Sequence, residues 1–191
     1  MRIVKIRDVA EILSGHTARG KIDPVAQGHL IVQLKDISIS GGVNVAGLDR
    51  IAEAEFKESH LIKSGDLVFR SRGQLLTVGV VPDLGEPVAV ISPLMKISVN
   101  SSMVIPEFLC WMINNTPGQS YFAAQAAGSS VKMIGKSTLS EMQLSLPSLE
   151  DQTKIIELSL LQKKEAKLSE TITKKTEQLL NTRIMRFLED A

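Results

Sequence analysis

The chain has few of the residues that usually build metal and disulfide sites. It contains one cysteine, Cys110, and three histidines, His16, His29 and His60, which lie far apart in the sequence. A single cysteine forms no internal disulfide, which fits a reducing compartment, and Cys110 lies in an apolar segment typical of a buried side chain. No cysteines or histidines have the spacing of a zinc site. We therefore predict a chain without metal.

The motifs of common enzyme classes are also missing. The sequence has no complete Gly-x-x-x-x-Gly-Lys-Ser/Thr motif and no Gly-x-Gly-x-x-Gly or Gly-x-Ser-x-Gly segment. Nucleotide binding and simple hydrolase chemistry are therefore not indicated. Asp83 and Glu86 are close in sequence, but they lie in a Pro/Gly turn that is typical of solvent-exposed carboxylates. We predict that the chain binds a partner and catalyses no reaction.

Long apolar runs and a strong net charge are absent as well. There is no apolar run of about 18 residues and no signal-peptide pattern, so we predict a soluble, cytoplasmic protein without a membrane partner. Hydrophobic residues make up 43% of the chain, which is enough for an ordered core. The net charge of +1 argues against a strongly basic protein that holds DNA on its own.

Basic residues nevertheless collect in three stretches that contain no acidic residue, at 14–21, 70–74 and 128–136. All three are rich in Gly, Ser or Thr, which predicts loops. Chance solvation of surface loops and a nucleic-acid surface both explain this pattern. The candidate DNA-binding residues are Ser14, His16, Thr17, Arg19, Lys21, Arg70, Ser71, Arg72, Gln74, Ser129, Ser130, Lys132 and Lys136.

Residues 1–147 have the pattern of an α+β domain built from short strands and a few helices. Alternating and buried-strand patterns predict strands at 3–6, 30–34, 67–69, 75–81, 87–92, 96–99 and 142–146. Helices are predicted at 8–13, 106–113 and 119–127, with Asp8 as a cap of the first and Pro106 in the first turn of the second.

Residues 148–191 predict one long helix. Ser148 is a good N-cap with Asp151 three residues later, and neither Pro nor Gly follows Pro147. An apolar stripe follows the alternating three- and four-residue spacing of a coiled coil, with Glu165 and Lys175 as polar interruptions. Its residues are Leu158, Leu161, Leu168, Ile172 and Leu179. Such a stripe needs a cover, either the chain's own domain or a second long helix. The length favours a second helix.

Four segments in order resemble the specificity subunit of type I restriction-modification systems. They are Ile6-Arg7-Asp8-Val9-Ala10-Glu11-Ile12-Leu13-Ser14-Gly15, Gly65-Asp66-Leu67-Val68-Phe69-Arg70-Ser71-Arg72-Gly73, Gly128-Ser129-Ser130-Val131-Lys132-Met133-Ile134 and Leu144-Ser145-Leu146-Pro147-Ser148-Leu149-Glu150-Asp151-Gln152-Thr153-Lys154-Ile155. Ser148 and Asp151 differ from the commoner Pro and Glu of that family, but both suit a helix start.

The resemblance implies a function that the residues alone do not give. Family members usually carry two target recognition domains, each followed by a long helix, and the two helices pair antiparallel as a spacer. This chain resembles half of that plan, with a target recognition domain at 1–147 and a dimerisation and spacer helix at 148–191. A homodimer on a symmetric, bipartite DNA site is therefore expected, and pairing with a full-length subunit or a coiled-coil adaptor without DNA are the alternatives.

The expected partners are double-stranded DNA, modification (methyltransferase) subunits, a restriction (motor and nuclease) subunit and a second copy of the chain. S-adenosylmethionine and ATP are implied only for the partner subunits, so this chain is expected to hold no cofactor. It is expected to be the non-catalytic part of that complex.

Overall fold

The computed structural model describes residues 2–18, 20–38, 41–52, 56–126 and 132–189. It consists of two compact units, residues 1–152 and residues 153–191. In the described residues, no helix combines the length and the apolar character that crossing a membrane requires.

In the described residues, the first unit contains ten short strands and three short α-helices, and a fourth, long α-helix begins in it. The strands are β1 (Arg2–Lys5), β2 (Ala10–Ser14), β3 (His29–Val32), β4 (Asp49–Ile51), β5 (Leu61–Ile62), β6 (Leu67–Arg70), β7 (Val78–Val80), β8 (Val88–Val90), β9 (Leu94–Val99) and β10 (Gln143–Leu146). The helices are α1 (Pro106–Asn114), α2 (Thr116–Gln125), α3 (Lys136–Ser140) and α4 (Leu149–Glu189).

The strands form three sheets. Two have four strands, in the orders β2-β9-β6-β7 and β4-β3-β8-β5, and the third pairs β1 with β10. Within the first four-stranded sheet all neighbours are antiparallel, whereas β3 and β8 are parallel. One apolar cluster contains Val68 and Leu94 of the first four-stranded sheet together with Val32, Val88 and Val90 of the second. This part of the core therefore lies between these two sheets.

The helix predicted at 8–13 is wrong. Residues Ile6–Asp8 form a single 3₁₀ turn, and the chain then continues as β2, which pairs antiparallel with β9. Ala10 and Ile12 are buried and Glu11 is exposed, which is the period-two pattern of a strand with one face on the core. Pairing with a strand more than 80 residues later overrides the local cap signal of Asp8.

The long helix begins as the sequence predicts. The Asp151 amide donates to the Ser148 hydroxyl at 3.1 Å, and that hydroxyl donates to the Asp151 carboxylate at 2.7 Å. Gln152 is fully buried, and its side-chain amide donates to the carbonyls of Met103 at 2.8 Å and Pro147 at 3.1 Å. Its side-chain oxygen accepts the Ile105 amide at 3.0 Å. These bonds fix the first turn of α4 to the first unit.

Candidate nucleic-acid interface

One end of the sheet β2-β9-β6-β7 gathers the loops predicted to bind DNA. At this end β2 finishes at Ser14, β9 starts at Leu94, β6 finishes at Arg70 and β7 starts at Val78. The strands are antiparallel, with Arg70 opposite Leu94 and Ser14 opposite Met95, so these positions are neighbours. Loops that are distant in sequence therefore emerge side by side.

The first predicted loop is fixed at its base. The Gly15 amide donates to the Leu94 carbonyl at 2.9 Å, and the His16 amide donates to the Val90 carbonyl at 2.7 Å. The His16 carbonyl accepts the Ser92 amide at 2.9 Å. A Cβ on Gly15 would lie 2.8–2.9 Å from main-chain atoms of residues 91–94, closer than real side chains allow. Because Gly15 has no Cβ, the loop can pass this close to the main chain of residues 91–94.

Beyond its base, the first loop exposes polar groups. Ser14, Thr17 and Lys21 are exposed, and the Lys21 amine lies 3.7 Å from the Asp23 carboxylate. Arg19 lies outside the described residues. Of these residues, Ser14 lies opposite Met95 at the start of β9.

The His16 imidazole belongs to an aromatic cluster beneath this loop. Its ring centroid lies 5.1 Å from those of both Phe56 and His60, with edge-on geometry. Burial lowers the pKa of His60, and His16 and Lys57 add to the lowering. Groups of three or more His, Cys, Asp or Glu arranged for a metal ion are absent from the described ranges. His16 therefore helps to support the loop from below.

The second predicted loop has a buried anchor. Ser71 is 4% exposed, and its hydroxyl donates to the carbonyl of Pro93. The peptide bond before Pro93 is cis. The Ser71 side chain is therefore bonded inside the domain. It supports the loop from within, where the sequence predicted a direct contact to DNA.

The second and third predicted loops are joined by main-chain bonds. Three contacts form a short antiparallel ladder: the Arg72–Met133 bridge, the Gly73 amide to the Lys132 carbonyl at 3.1 Å, and the Ile134 amide to the Ser71 carbonyl at 2.9 Å. We use the name loop ladder for these paired segments together with the exposed side chains around them. The exposed side chains are Arg72, Gln74, Lys132 and Lys136. Ser129 and Ser130 lie outside the described residues.

Arg70 supports the loop ladder from inside. Its guanidinium Nη1 donates to the Ile37 carbonyl at 3.3 Å, while its Nε is buried and has no hydrogen-bond partner among the described residues. Gly73 has φ +130°, and a Cβ there would lie 3.5 Å from the Arg70 guanidinium. The half-buried arginine thus packs beneath the glycine of the loop.

A fourth segment at this end is missed by the charge pattern, although Gly41 and Gly42 mark a turn. Thr77, just before β7, donates its hydroxyl to the Ser38 carbonyl at 3.2 Å. Gly41 has φ +81°, and a Cβ there would lie 2.5 Å from the Asn114 amide nitrogen and 2.7 Å from the Val78 carbonyl. Gly41 therefore lies beside the start of β7.

Among the described residues, the Lys and Arg side chains of the loop ladder lack the carboxylate partners that most other cations of the first unit have. Lys5 and Arg7 pair with Glu141, and Arg50 pairs with Glu86 at 2.5 Å. These contacts lower the pKa of Glu141, chiefly through Lys5, and the pKa of Glu86 through Arg50. Arg72, Lys132 and Lys136, by contrast, have no carboxylate within 4.0 Å in the part of the chain that the structure describes. They remain available to an external anion.

The predicted dimerisation seam lies on α4 and is accessible to solvent. Its five residues are 55–67% exposed: Leu158, Leu161, Leu168, Ile172 and Leu179. Glu165 and Lys175 occupy the same stripe and are exposed. An apolar stripe of this length needs a cover in water. We define these five apolar residues with Glu165 and Lys175 as the seam.

Solved structures share this fold. A chain from a structure on complex assembly and conformational transition of the type I R-M system is 19% identical, with a TM-score of 0.64 over 87% of this chain and 39% of that chain. The HsdS subunit from Thermoanaerobacter tengcongensis is 18% identical, with a TM-score of 0.63 over 87% of this chain and 38% of that chain. The Type-I restriction-modification system S subunit from M. genitalium is 13% identical, with a TM-score of 0.57 over 88% of this chain and 40% of that chain.

These likenesses confirm the predicted fold class, an α+β domain followed by a long C-terminal helix. This chain spans less than half the length of each of the three solved chains. No curated protein matches it. Residues 1–181 match the family described as Type I restriction modification DNA specificity domain, and the chain therefore belongs to that family.

Proposed function

We propose that the chain recognises a short sequence of double-stranded DNA as the specificity subunit of a type I restriction-modification complex. The observation that carries the proposal is the loop ladder, which pairs the segments of Arg72 and Lys132 and is followed by Lys136. None of these three cations has a carboxylate partner among the described residues. Such cations suit the phosphates and base edges of DNA. In this proposal residues 1–147 read the DNA and residues 148–191 form the spacer.

The exposed residues of the loop ladder divide by chemistry. Arg72 suits a two-bond contact to guanine O6 and N7, and Gln74 suits adenine N6 and N7. Lys132 and Lys136 suit phosphate oxygens as point charges. The first loop adds Ser14, Thr17 and Lys21, and Arg19, Ser129 and Ser130, which lie outside the described residues, remain candidates on sequence alone. Arg70, Ser71 and His16 hold these loops in place.

In the proposed complex, the partner subunits supply most of the affinity for DNA and carry out all of the chemical reactions. Neutralising phosphates supplies most non-specific affinity for DNA, and the net charge here is only +1. We therefore expect weak DNA binding by the isolated chain and tighter binding when modification subunits enclose the DNA. Those subunits would hold S-adenosylmethionine, and a restriction subunit would use ATP.

We further propose that two copies pair through the seam as an antiparallel homodimer. Pairing of copies in this direction sets Leu161 against Leu179 and Leu168 against Ile172 of the second copy. In the same register Glu165 faces Lys175, so the two polar interruptions become an ion pair. A parallel pair would instead place like charges together in both polar layers. Two domains related by a two-fold axis would read a symmetric, bipartite site.

In the proposed dimer, Glu165 and Lys175 form two polar layers, one at each Glu165–Lys175 pair. Changing the charges in these layers tests whether the helices pair antiparallel or parallel. In the antiparallel dimer Glu165→Lys creates two Lys–Lys layers, and we expect it to weaken dimerisation by at least about 1 kcal/mol per layer. The double variant Glu165→Lys/Lys175→Glu restores opposite charges and should return the dimer dissociation constant to that of the wild type. Sedimentation equilibrium at low ionic strength measures both constants.

A parallel dimer predicts a different result. It would place like charges in both polar layers in the wild type, the single variant and the double variant alike. Three equal dissociation constants would therefore contradict the antiparallel register.

The loop ladder is tested by DNA binding of the complex assembled with modification subunits. We expect Arg72→Ala to cost about 1–3 kcal/mol per half-site and to relax sequence choice, because a base contact is lost. We expect Lys132→Ala to weaken binding to all sequences and to reduce the slope of log K against log salt by about 1 per half-site. Fluorescence anisotropy at several salt concentrations measures both effects.

Lys63→Ala is the matched control, because Lys63 is an exposed lysine in the turn before β6, at the opposite end of the sheet. It should leave both affinity and salt slope unchanged. Unchanged affinity and site choice in Arg72→Ala and Lys132→Ala would remove the loop ladder from the DNA interface.

A further inference from the structure

Met133 exposes an apolar side chain among the cations of the loop ladder. It is 65% exposed, and it is paired across the ladder with Arg72. Among the large hydrophobic residues in the described part of the first unit, only Ile3 is more exposed, at 70%. Single exposed apolar side chains are common on protein surfaces, so the position of Met133 beside Arg72 decides what it can contact.

The main-chain bonds of the loop ladder fix the direction of the Met133 side chain. The two hydrogen bonds lie on either side of the Arg72–Met133 pair and do not join its two residues to each other. Residues paired in this way have Cα atoms about 4.5 Å apart and side chains on the same face. The next residues, Ser71 and Ile134, are 4% and 1% exposed, so they face the core. Arg72 and Met133 therefore both face outward, side by side.

The separation of these two side chains matches that of neighbouring base pairs. Cβ atoms of such a cross-strand pair lie about 4.5–5.5 Å apart, and successive bases along a DNA strand are spaced by about 3.4 Å. Arg72 suits the O6 and N7 atoms of guanine, which lie in the major groove. With Arg72 on a guanine, Met133 is therefore within reach of the adjacent base pair in the same groove.

The major groove offers a methionine side chain one matching group. Every base pair presents hydrogen-bond donors or acceptors there, and thymine alone adds a methyl group. Methionine has no strong hydrogen-bonding group, and its flexible thioether adapts to irregular apolar surfaces. Against a purely polar base edge it would leave donors or acceptors without partners, which costs free energy. The thymine methyl group avoids this cost.

We infer that Met133 is a specificity-determining residue that contacts the 5-methyl group of a thymine next to the guanine bound by Arg72. This inference rests on the DNA recognition proposed above and deepens it. The Arg72–Met133 pair reads a guanine and an adjacent A·T pair as one unit, because the main-chain bonds of the loop ladder hold the two side chains together.

Replacing thymine with deoxyuridine tests this contact, since it removes the methyl group and keeps every base-pairing group. The probe is the duplex that the complex assembled with modification subunits selects from random DNA, prepared with thymine or with uracil throughout the recognised sequence. Losing one buried methyl contact should raise the dissociation constant of the wild type by about fourfold per half-site. In Met133→Ser the two duplexes should bind nearly equally. Fluorescence anisotropy measures these constants.

Two further variants serve as controls. Met133→Leu keeps an apolar side chain of similar volume, so it should keep the preference of the wild type for thymine over uracil. Ile3→Ser removes a similarly exposed apolar side chain from β1, which belongs to the separate two-stranded sheet. It should also keep the preference.

The outcomes separate this inference from the proposed function. Specific binding by the wild type without a preference for thymine over uracil would overturn the inference and leave DNA recognition standing. A preference that persists in Met133→Ser would do the same. If that variant also bound both duplexes more weakly by one common factor, Met133 would act as a wedge between base steps. A wild-type complex that binds no duplex specifically would overturn both.

Discussion

Replacing Leu168 and Ile172 together with glutamate is expected to dissociate the proposed homodimer into monomers. Both residues are more than half exposed in the single chain, at 55% and 65%, and both face the centre of the proposed pair. Burying such a side chain is worth about 1.5–3 kcal/mol, so the four residues in a dimer contribute roughly 6–12 kcal/mol. Losing this contribution would raise the dimer dissociation constant by a factor of about 10⁴ or more. Sedimentation velocity over a range of concentrations measures the change.

Leu160→Glu is the control for this substitution. Leu160 is a 59% exposed leucine on the same helix, about 100° from the seam position Leu161. Its replacement should leave the dimer intact. A wild type that remains monomeric at all concentrations would end the self-pairing proposal. If that monomer associated with a full-length specificity subunit, the alternative of a mixed pair would replace it.

The long helix and its seam could be predicted from the sequence because each signal for them is local. The Ser148 cap, the absence of Pro and Gly after Pro147 and the three- and four-residue spacing all lie within one helix. The second strand shows the opposite case. Asp8 supports a helix locally, yet Ala10 and Ile12 are buried in a ladder with β9. No local pattern encodes a partner that lies more than 80 residues away.

The three loops predicted to bind DNA could be recognised one at a time from the sequence, but their arrangement in the fold could not. Glycine, serine and basic residues mark each loop, whereas the Arg72–Met133 bridge joins residues 61 positions apart. Burial of Ser71 against Pro93 is equally invisible, because serine is usually a surface residue. Gln152 was visible only as part of a family motif, and the structure supplies the reason for it: its side chain binds three main-chain groups.

Breaking a buried ion pair near the core is the second change expected to have a large effect, here on the free energy of unfolding. The Lys96 amine on β9 lies 3.3 Å from the Asp66 carboxylate and donates to the Leu61 carbonyl at 2.6 Å. The two side chains are only 10% and 11% exposed. The Asp66 carboxylate also accepts the Lys63 amide at 2.8 Å, so it holds the turn that starts β6. Lys96 thereby connects β5, β9 and this turn.

Lys96→Met is expected to lower the free energy of unfolding of the first unit by about 3–5 kcal/mol, because it leaves the Asp66 carboxylate buried without its cation. The measurement uses full-length chains that also carry Leu168→Glu/Ile172→Glu, so that dimerisation does not add to stability. Fluorescence of the single tryptophan, Trp111 on α1, reports unfolding of this unit in denaturant. The control Lys96→Met/Asp66→Asn keeps an acceptor for the Lys63 amide and removes the bare charge, so it should lose markedly less stability. A loss below about 1 kcal/mol in Lys96→Met, or an equal loss in the control, would show that the ion pair is not what holds β9 to this turn.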